Sequence, residues 1–500
     1  MLSKELISLL KTFSPKEFKQ FEQFLNSSYS NKNKKLVDLL LLLKASYPSF
    51  VDKHLTKEFL FKNIYPGKAY HDPTLRNLFS DLNDAAETFL SSEASKIDSF
   101  HGGETLLGIL HERNLPAHFR KEMKHLDNQL AGEGLSCAYL EKKYTLENHK
   151  LNFRITYDNN IDRKAILKRI DHVNSSAKYL TSNFIIEIIN RLIKINIYKE
   201  KYNADGSPAF LTELAKCIDF DLLLTIFDDT ECSELLRMYS ALNKMLQNKD
   251  DLNFYFRYKE LYEKNTVILS RNERAFHNSY LINYCVSNLY TMEAGYDFRI
   301  DLFKLYKELV MHEYYKSDAN DYLPADLFRA ILITALNVKE YYWAQQFINT
   351  NYLKLHNKDK DNMISLGFFL LYGYTGKYEQ SLNQLNKVKF DNFIFKYDEH
   401  LLKIKIFYEL GMLCEGLDSI HSFREFVHNN TFESELRKKK YLNFINFAEK
   451  VFSSKLGNEK IDIDYLQFKL VEETNIVYKD WLLEKMRNES KNIPKLLEKV

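Results

Sequence analysis

The chain has 500 residues, with 70 Lys and Arg against 68 Asp and Glu and a formal net charge of +2. Charges so evenly matched argue against a protein built chiefly to neutralise phosphates. The scattered cysteines (Cys137, Cys217, Cys232, Cys285 and Cys414) contain no CxxC pair, which argues against a disulfide framework and fits reduced thiols in a cytoplasmic protein.

The purest apolar run, Leu39–Leu43, is bracketed by Asp38 and Lys44. It falls far short of the ~20 residues that span a bilayer. The apolar run after Met1–Glu5 is too short for a signal peptide. No membrane association is expected. No proline occurs between Pro324 and Pro494, which fits mainly helical structure with short turns. The many Phe and Tyr residues are read as filling between helices.

Residues 1–100 read as an N-terminal helical module. Leu2–Phe13 is a short amphipathic helix. Ser14-Pro15-Lys16-Glu17 supplies an N-cap serine, a proline at the first helical position and a capping-box glutamate. Phe18, Phe21, Phe24 and Leu25 then share one face. Asn31–Lys35 opens a third helix with Leu36–Leu43 as its core face. A short helix from Leu55, a turn at Tyr65-Pro66-Gly67 and a long helix from Asp72 to Leu90 follow. Ser91–Gly103, rich in Ser and ending in Gly102-Gly103, reads as a linker.

Residues 101–231 read as an irregular helical region. Pro116 marks a helix start. Cys137–Tyr157 is long and polar over most of its surface. Ile161–Tyr198 is longer, with a break at Asn174-Ser175-Ser176, and Tyr202–Pro208 reads as a loop around Asp205-Gly206-Ser207.

From 232 to 500 helix pairs recur. Glu234–Leu246 precedes Leu252–Tyr262, and Leu269–Met292 precedes Tyr296–Tyr314 across Glu293-Ala294-Gly295. Leu327–Leu336 then pairs with Tyr341–Ile348. In Met363–Val388, Ile364, Phe368 and Leu371 share a face. Gly376 closes that helix, and Tyr378, Leu382 and Leu385 restart the pattern. Leu401–Leu410, Gly411 and Leu417–Val427 form a third pair. Thr431–Phe452 pairs with Ile461–Val471, and Ile476–Met486, with Trp481-Leu482-Leu483, reads as a capping helix. Ala344, Ser381 and Gly416 fall at matching places about 35 residues apart, the period of helix-turn-helix repeats.

Tyr341 with Ala344, Tyr372 with Gly376, Tyr378 and Ser381, and Gly411 with Gly416 resemble the tetratricopeptide (TPR) family over Asp326 to Asn430. The family's tryptophan and the proline after its second helix are absent. The stretch from Asn283-Tyr284-Cys285 to Tyr341-Tyr342-Trp343-Ala344 also resembles a set of long bacterial helical-repeat proteins that carry no known activity.

The expected fold is all-α, an α-solenoid of antiparallel helix pairs (TPR-like) after the N-terminal module. Its expected function is a non-catalytic scaffold holding a protein or peptide partner in a groove lined by the first helix of each pair. The resemblance nominates Asp326, Arg329, Asn337, Tyr374, Asp398, Lys405, Tyr408 and Glu409 for that surface. The Lys/Asn set that clamps a terminal carboxylate in some members is not evident, since Ile333 stands at an asparagine place.

Residues 55–90 also resemble winged-helix modules that precede TPR-like regions in some bacterial transcriptional activators. The alternative function is therefore a regulator with an N-terminal DNA-binding module and a sensor made of repeats. Asp72, Asp81, Asp84 and Glu87 beside a single Arg76 oppose phosphate contact.

No P-loop, GxGxxG, GxSxG or HExxH occurs, so no enzyme, cofactor or metal site is expected. His421 and His428 lack completing ligands. Arg437-Lys438-Lys439-Lys440 with Tyr441 has the composition of a single-strand nucleic-acid contact. Glu433 and Glu435 balance it, so it reads as a solvated helix face.

Overall fold

A computed structural model describes residues 3–497 except 28–32, 51–55, 98, 159–160, 203–208, 229, 290–295, 318–320, 390–392, 431–434 and 458–460. Among the described residues the fold is all-α, with consecutive helices packed on one another and no strand beyond an isolated bridge, Leu135 to Leu269. No helix among them is long and apolar enough to cross a membrane. Contacts divide the chain into two units: residues 1–133 with 137–187, and residues 134–136 with 188–500.

The first unit opens with α1 (Lys4–Thr12), α2 (Pro15–Asn26), α3 (Lys34–Lys44), α4 (Lys57–Ile64) and α5 (Asp72–Ile97). The capping box at Ser14 is formed from both sides: Ser14 N–H donates to Glu17 and Glu17 N–H donates to the Ser14 hydroxyl. Phe13, Phe18, Phe21, Leu39, Leu43 and Phe89 share one core.

α6 (Ser99–Glu112), α7 (Pro116–Leu130) and α8 (Cys137–Tyr157) follow, and then α9 (Arg163–Tyr202). The expected linker at 91–103 is helical up to Ile97 and again from Ser99. Gly103 serves packing there, since a β-carbon on it would lie 2.6 Å from Leu126 Cδ2 on α7. The expected break at Asn174–Ser176 is also absent. These residues are weak helix formers, but the Ser176 hydroxyl donates to Asn148 Oδ1 at 2.8 Å and ties α9 to α8.

The second unit continues with α10 (Ala209–Lys216), α11 (Phe220–Ile226), α12 (Ser233–Gln247), α13 (Leu252–Asn265), α14 (Arg271–Asn288) and α15 (Phe298–Met311). Next come α16 (Ala325–Asn337), α17 (Tyr341–Asn351), α18 (Lys360–Tyr374), α19 (Tyr378–Leu385), α20 (Phe393–Glu409) and α21 (Leu413–Asn429). The chain closes with α22 (Glu435–Leu456), α23 (Ile463–Glu472) and α24 (Lys479–Leu497). The expected loop around Asp205-Gly206-Ser207 and turn at Glu293-Ala294-Gly295 lie outside the described residues, as do Asn31, Lys32, Leu55 and Glu433.

Three pairs, α16/α17, α18/α19 and α20/α21, share one turn. Glu340 N–H donates to Ala335 O at 3.0 Å, Lys377 N–H to Tyr372 O at 2.9 Å and Met412 N–H to Phe407 O at 2.9 Å. Each bond runs back five residues, as in a Schellman closure. Gly376 and Gly411 supply the left-handed residue at φ 77° and 73°, and Lys339 takes it at 63°.

Ala344 and Ser381 are fully buried, and Gly416 is buried where a β-carbon would overlap the Phe452 ring. In α18 the expected face shifts. Ile364 and Phe368 are half-buried, while Met363, Leu366, Phe369 and Leu370 are buried. The helix is covered from several sides, by α16, α17, α19 and α20, so a single-stripe reading does not describe it.

Candidate functional site

The side chains nominated for partner contact lie on α16, α18 and α20. Arg329 on α16 grips both carboxylate oxygens of Asp398 on α20 through Nε and Nη2. This fork geometry suits guanidinium and carboxylate. Asn337, at the end of α16, accepts a hydrogen bond from the Tyr374 hydroxyl at 3.2 Å. Tyr374, at the end of α18, also lies 3.3 Å from the hydroxyl of Tyr478.

Tyr478 precedes α24, and that helix supplies the rest of the site. Lys405 Nζ lies 4.4 Å from the centre of the Tyr478 ring, 5.3 Å from Tyr374 and 6.0 Å from Trp481. Three rings thus surround one ammonium, an arrangement that cation–π attraction favours. Burial pulls Lys405 down to about 8, against the opposing pull of Glu409. Tyr408 is buried, its ring edge-to-face with Trp481 at 5.6 Å and Phe452 at 5.1 Å. Glu409 accepts from Trp481 Nε1 at 2.9 Å and pairs with Lys485 at 2.6 Å. Burial works against the charge on Lys485, but Glu409 and Glu484 more than offset it and raise its pKa.

The structure therefore gathers Arg329, Asn337, Tyr374, Asp398, Lys405, Tyr408 and Glu409 into linked contacts, and their partners include the chain's own Tyr478, Trp481 and Lys485. Asp326 stands exposed in the first turn of α16 and joins none of these contacts. Tyr478 and Lys485 carried no signal in the sequence as site residues. Trp481 was visible only as part of a capping helix. Their contacts join positions 72 and 104 residues apart, beyond any local pattern.

A second polar cluster lies on α12 to α15 and the segment leading into α15; most of it is buried, with Tyr296 37% exposed. Asp301 accepts from Tyr255 and Tyr296 at 2.8 Å each and from Lys259 at 2.6 Å. Tyr239 donates to Glu273 at 2.9 Å, and the Tyr258 hydroxyl lies 2.7 Å from His277 Nδ1. Burial pushes His277 down to about 3 and the Cys285 thiol up to about 12. A thiol held protonated is a poor nucleophile. The cluster gives the buried Asp301, Glu273 and Tyr258 hydrogen-bond partners between helices.

Of the basic run, Arg437 and Lys439 are exposed. Lys440 is buried and held down at about 7, first by burial and then by Arg437, while Lys438 pairs with Glu435 at 3.0 Å. Tyr441 is stacked on Tyr397 at 4.3 Å. His421 and His428 are exposed, and no group of three or more His, Cys, Asp or Glu among the described residues is placed to hold a metal.

Comparisons with protein-family models, with curated proteins and with solved structures found no match for this chain.

Proposed function

We propose that this protein is a non-catalytic interaction scaffold whose α16, α18 and α20 line a groove for a partner helix or peptide. In this reading residues 232–500 form a TPR-like solenoid of antiparallel pairs, residues 1–100 an N-terminal helical module and residues 101–231 an irregular helical connection. The protein works in the cytoplasm without a cofactor. The observation that carries the reading is the seating of Tyr478, Trp481 and Lys485 against Tyr374, Lys405, Tyr408 and Glu409. An amphipathic helix with aromatic anchors already fits these residues, which is how helix-binding grooves recognise partners. Tyr478–Lys485 then acts as an internal occupant that a partner displaces.

Charge reversal at Arg329 is a poor test, because Arg329→Glu would set a carboxylate against buried Asp398 and unfold the site. A better one uses the double variant Trp481→Ala with Lys485→Ala in the full chain. A labelled peptide covering residues 474–489 should bind that variant, as read by fluorescence anisotropy. It should bind wild type at least about tenfold more weakly, and adding Glu409→Ala should abolish binding. A folded double variant that ignores the peptide would sink the groove reading. The regulator alternative has less behind it. Asp81, Asp84 and Glu87 are exposed on α5, and Asp72 is committed to Lys57, Tyr70 and Arg76.

A further inference from the structure

α9 packs against α8 with its polar side. His172 Nδ1 lies 2.7 Å from Glu147 Oε2, and Arg154 Nε donates to His172 Nε2 at 3.0 Å. Arg169 donates to the backbone carbonyls of Arg154 and Asp158 at 3.0 and 2.6 Å. Ser182 is fully buried. Its apolar side faces outward: Ile166 is 42% exposed, Ile170 48%, Val173 50%, Leu180 49% and Phe184 49%. Over residues 166–184 this inverts the usual amphipathic arrangement; from Ile185 on, Ile185, Ile186, Ile188, Ile189 and Ile193 are buried.

The outward residues are not scattered. Ile166, Ile170, Val173, Ala177, Leu180 and Phe184 are spaced alternately four and three residues apart. That is the a/d seam of a coiled coil, the pattern that meshes with a second helix. No single stripe stands out in the sequence, because polar residues are buried before Phe184 and isoleucines after it.

We propose that this seam joins two copies of the chain through antiparallel α9 helices, with the two-fold axis at Ser175. The order of residues is its own complement about that point. Ile166 faces the partner's Phe184, Ile170 faces the partner's Leu180, and Val173 faces the partner's Ala177. Large residues meet at the ends and small ones at the centre, so the helices close most tightly at the axis. Such a repeated, self-complementary patch is what a two-fold interface requires.

The flanking positions agree. Leu167 comes beside the partner's Thr181 and Asn174 beside the partner's Asn174, while Ser176 on the other flank is buried against α8. Arg169, the charged residue of the flank, comes beside the partner's Asn183 and is already held by two carbonyls. No like charges meet across the axis, whereas charge at these positions is the usual way a coiled coil rejects a partner. The helix is already built into the first unit, so association need not supply the cost of forming it.

The test is sedimentation equilibrium of the full chain from about 1 to 100 µM, the range in which a modest interface changes occupancy. Wild type should be a dimer over part of this range. Ile170→Lys alone and Leu180→Glu alone should each be monomers, with dissociation constants raised at least about tenfold. Both positions are exposed, so circular dichroism and melting of either variant should match wild type at its monomeric concentrations. Mixing the two variants should restore a dimer, because the introduced ammonium at 170 meets the introduced carboxylate at the partner's 180. A wild type that stays monomeric overturns the proposal. So does a dimer that neither substitution dissociates. Rescue by mixing Ile170→Lys with Ile170→Glu, in place of the first mixture, would show a parallel pair and overturn the antiparallel register.

Discussion

The α12–α15 cluster and the α16–α24 cluster both bury charges and phenols beneath aromatic rings, but they are closed differently. Asp301 is satisfied by Lys259, Tyr255 and Tyr296 on neighbouring helix pairs. Tyr255 and Lys259 lie on α13 and leave Asp301 only if α13 and α15 separate, whereas Tyr296 lies in the segment leading into α15. Lys405 and Glu409 are instead covered by Tyr478, Trp481 and Lys485 at the far end of the unit. In the proposed reading a partner displaces this one terminal segment, and that displacement also uncovers Leu482 and Met486, which are fully buried in the core of α20–α23.

The sharpest way to break the comparison is at Asp301. Removing it by Asp301→Ala leaves the ammonium of Lys259, the buried Tyr255 phenol and the exposed Tyr296 phenol without this acceptor. Loss of one member of a buried pair costs roughly 3–5 kcal/mol, and urea unfolding of the variant should show a midpoint lowered accordingly. A loss under about 1 kcal/mol would mean that water reaches the cluster and that the contrast is false.

Acid should act on the first cluster next. His277 is fully buried and held at about 3, below its unfolded value of about 6.5. A depressed histidine leaves the unfolded chain with more bound protons between those values, so stability falls as pH drops through 6.5. At pH 4.5 this one residue should contribute about 2–3 kcal/mol of destabilisation relative to pH 7. His277→Gln should flatten that part of the profile in pH-dependent urea titrations, and an unchanged slope would contradict it.

The smallest effect is expected at Lys405. Lys405→Met removes an ammonium that burial already disfavours, at the cost of cation–π attraction worth about 0.5–2 kcal/mol. The two oppose each other, so stability at pH 7 should change by less than about 1 kcal/mol. Between about 8 and the unfolded value of about 10.4 the unfolded chain holds more protons at this position, so from pH 7 to pH 9 wild type should gain about 1 kcal/mol relative to the variant. A large loss on Lys405→Met would place the second cluster beside the first as a fixed element of the fold.

Helix existence was legible because it rests on local chemistry. The capping box at Ser14, the first-position Pro116 and the glycines at 376 and 411 each fix a boundary within a few residues. Two local readings failed for the same physical reason. The serines and glycines of 91–103 and the Asn174–Ser176 triplet favour loops in isolation, yet contacts with Leu126 and Asn148 hold them helical. The helices that carry the nominated residues, α16, α18 and α20, were readable from their periodicity. That those residues meet one another, and what covers them, was not.

The sequence by itself determined the helical class, the turns between pairs and the small residues where helices cross, since caps, glycine torsions and periodicity act over a few residues. Only the tertiary structure decided that Tyr478 and Trp481 seat on Lys405 and Glu409, and that α9 turns its heptad seam outward. Both depend on burial, and burial is settled by which distant surfaces meet.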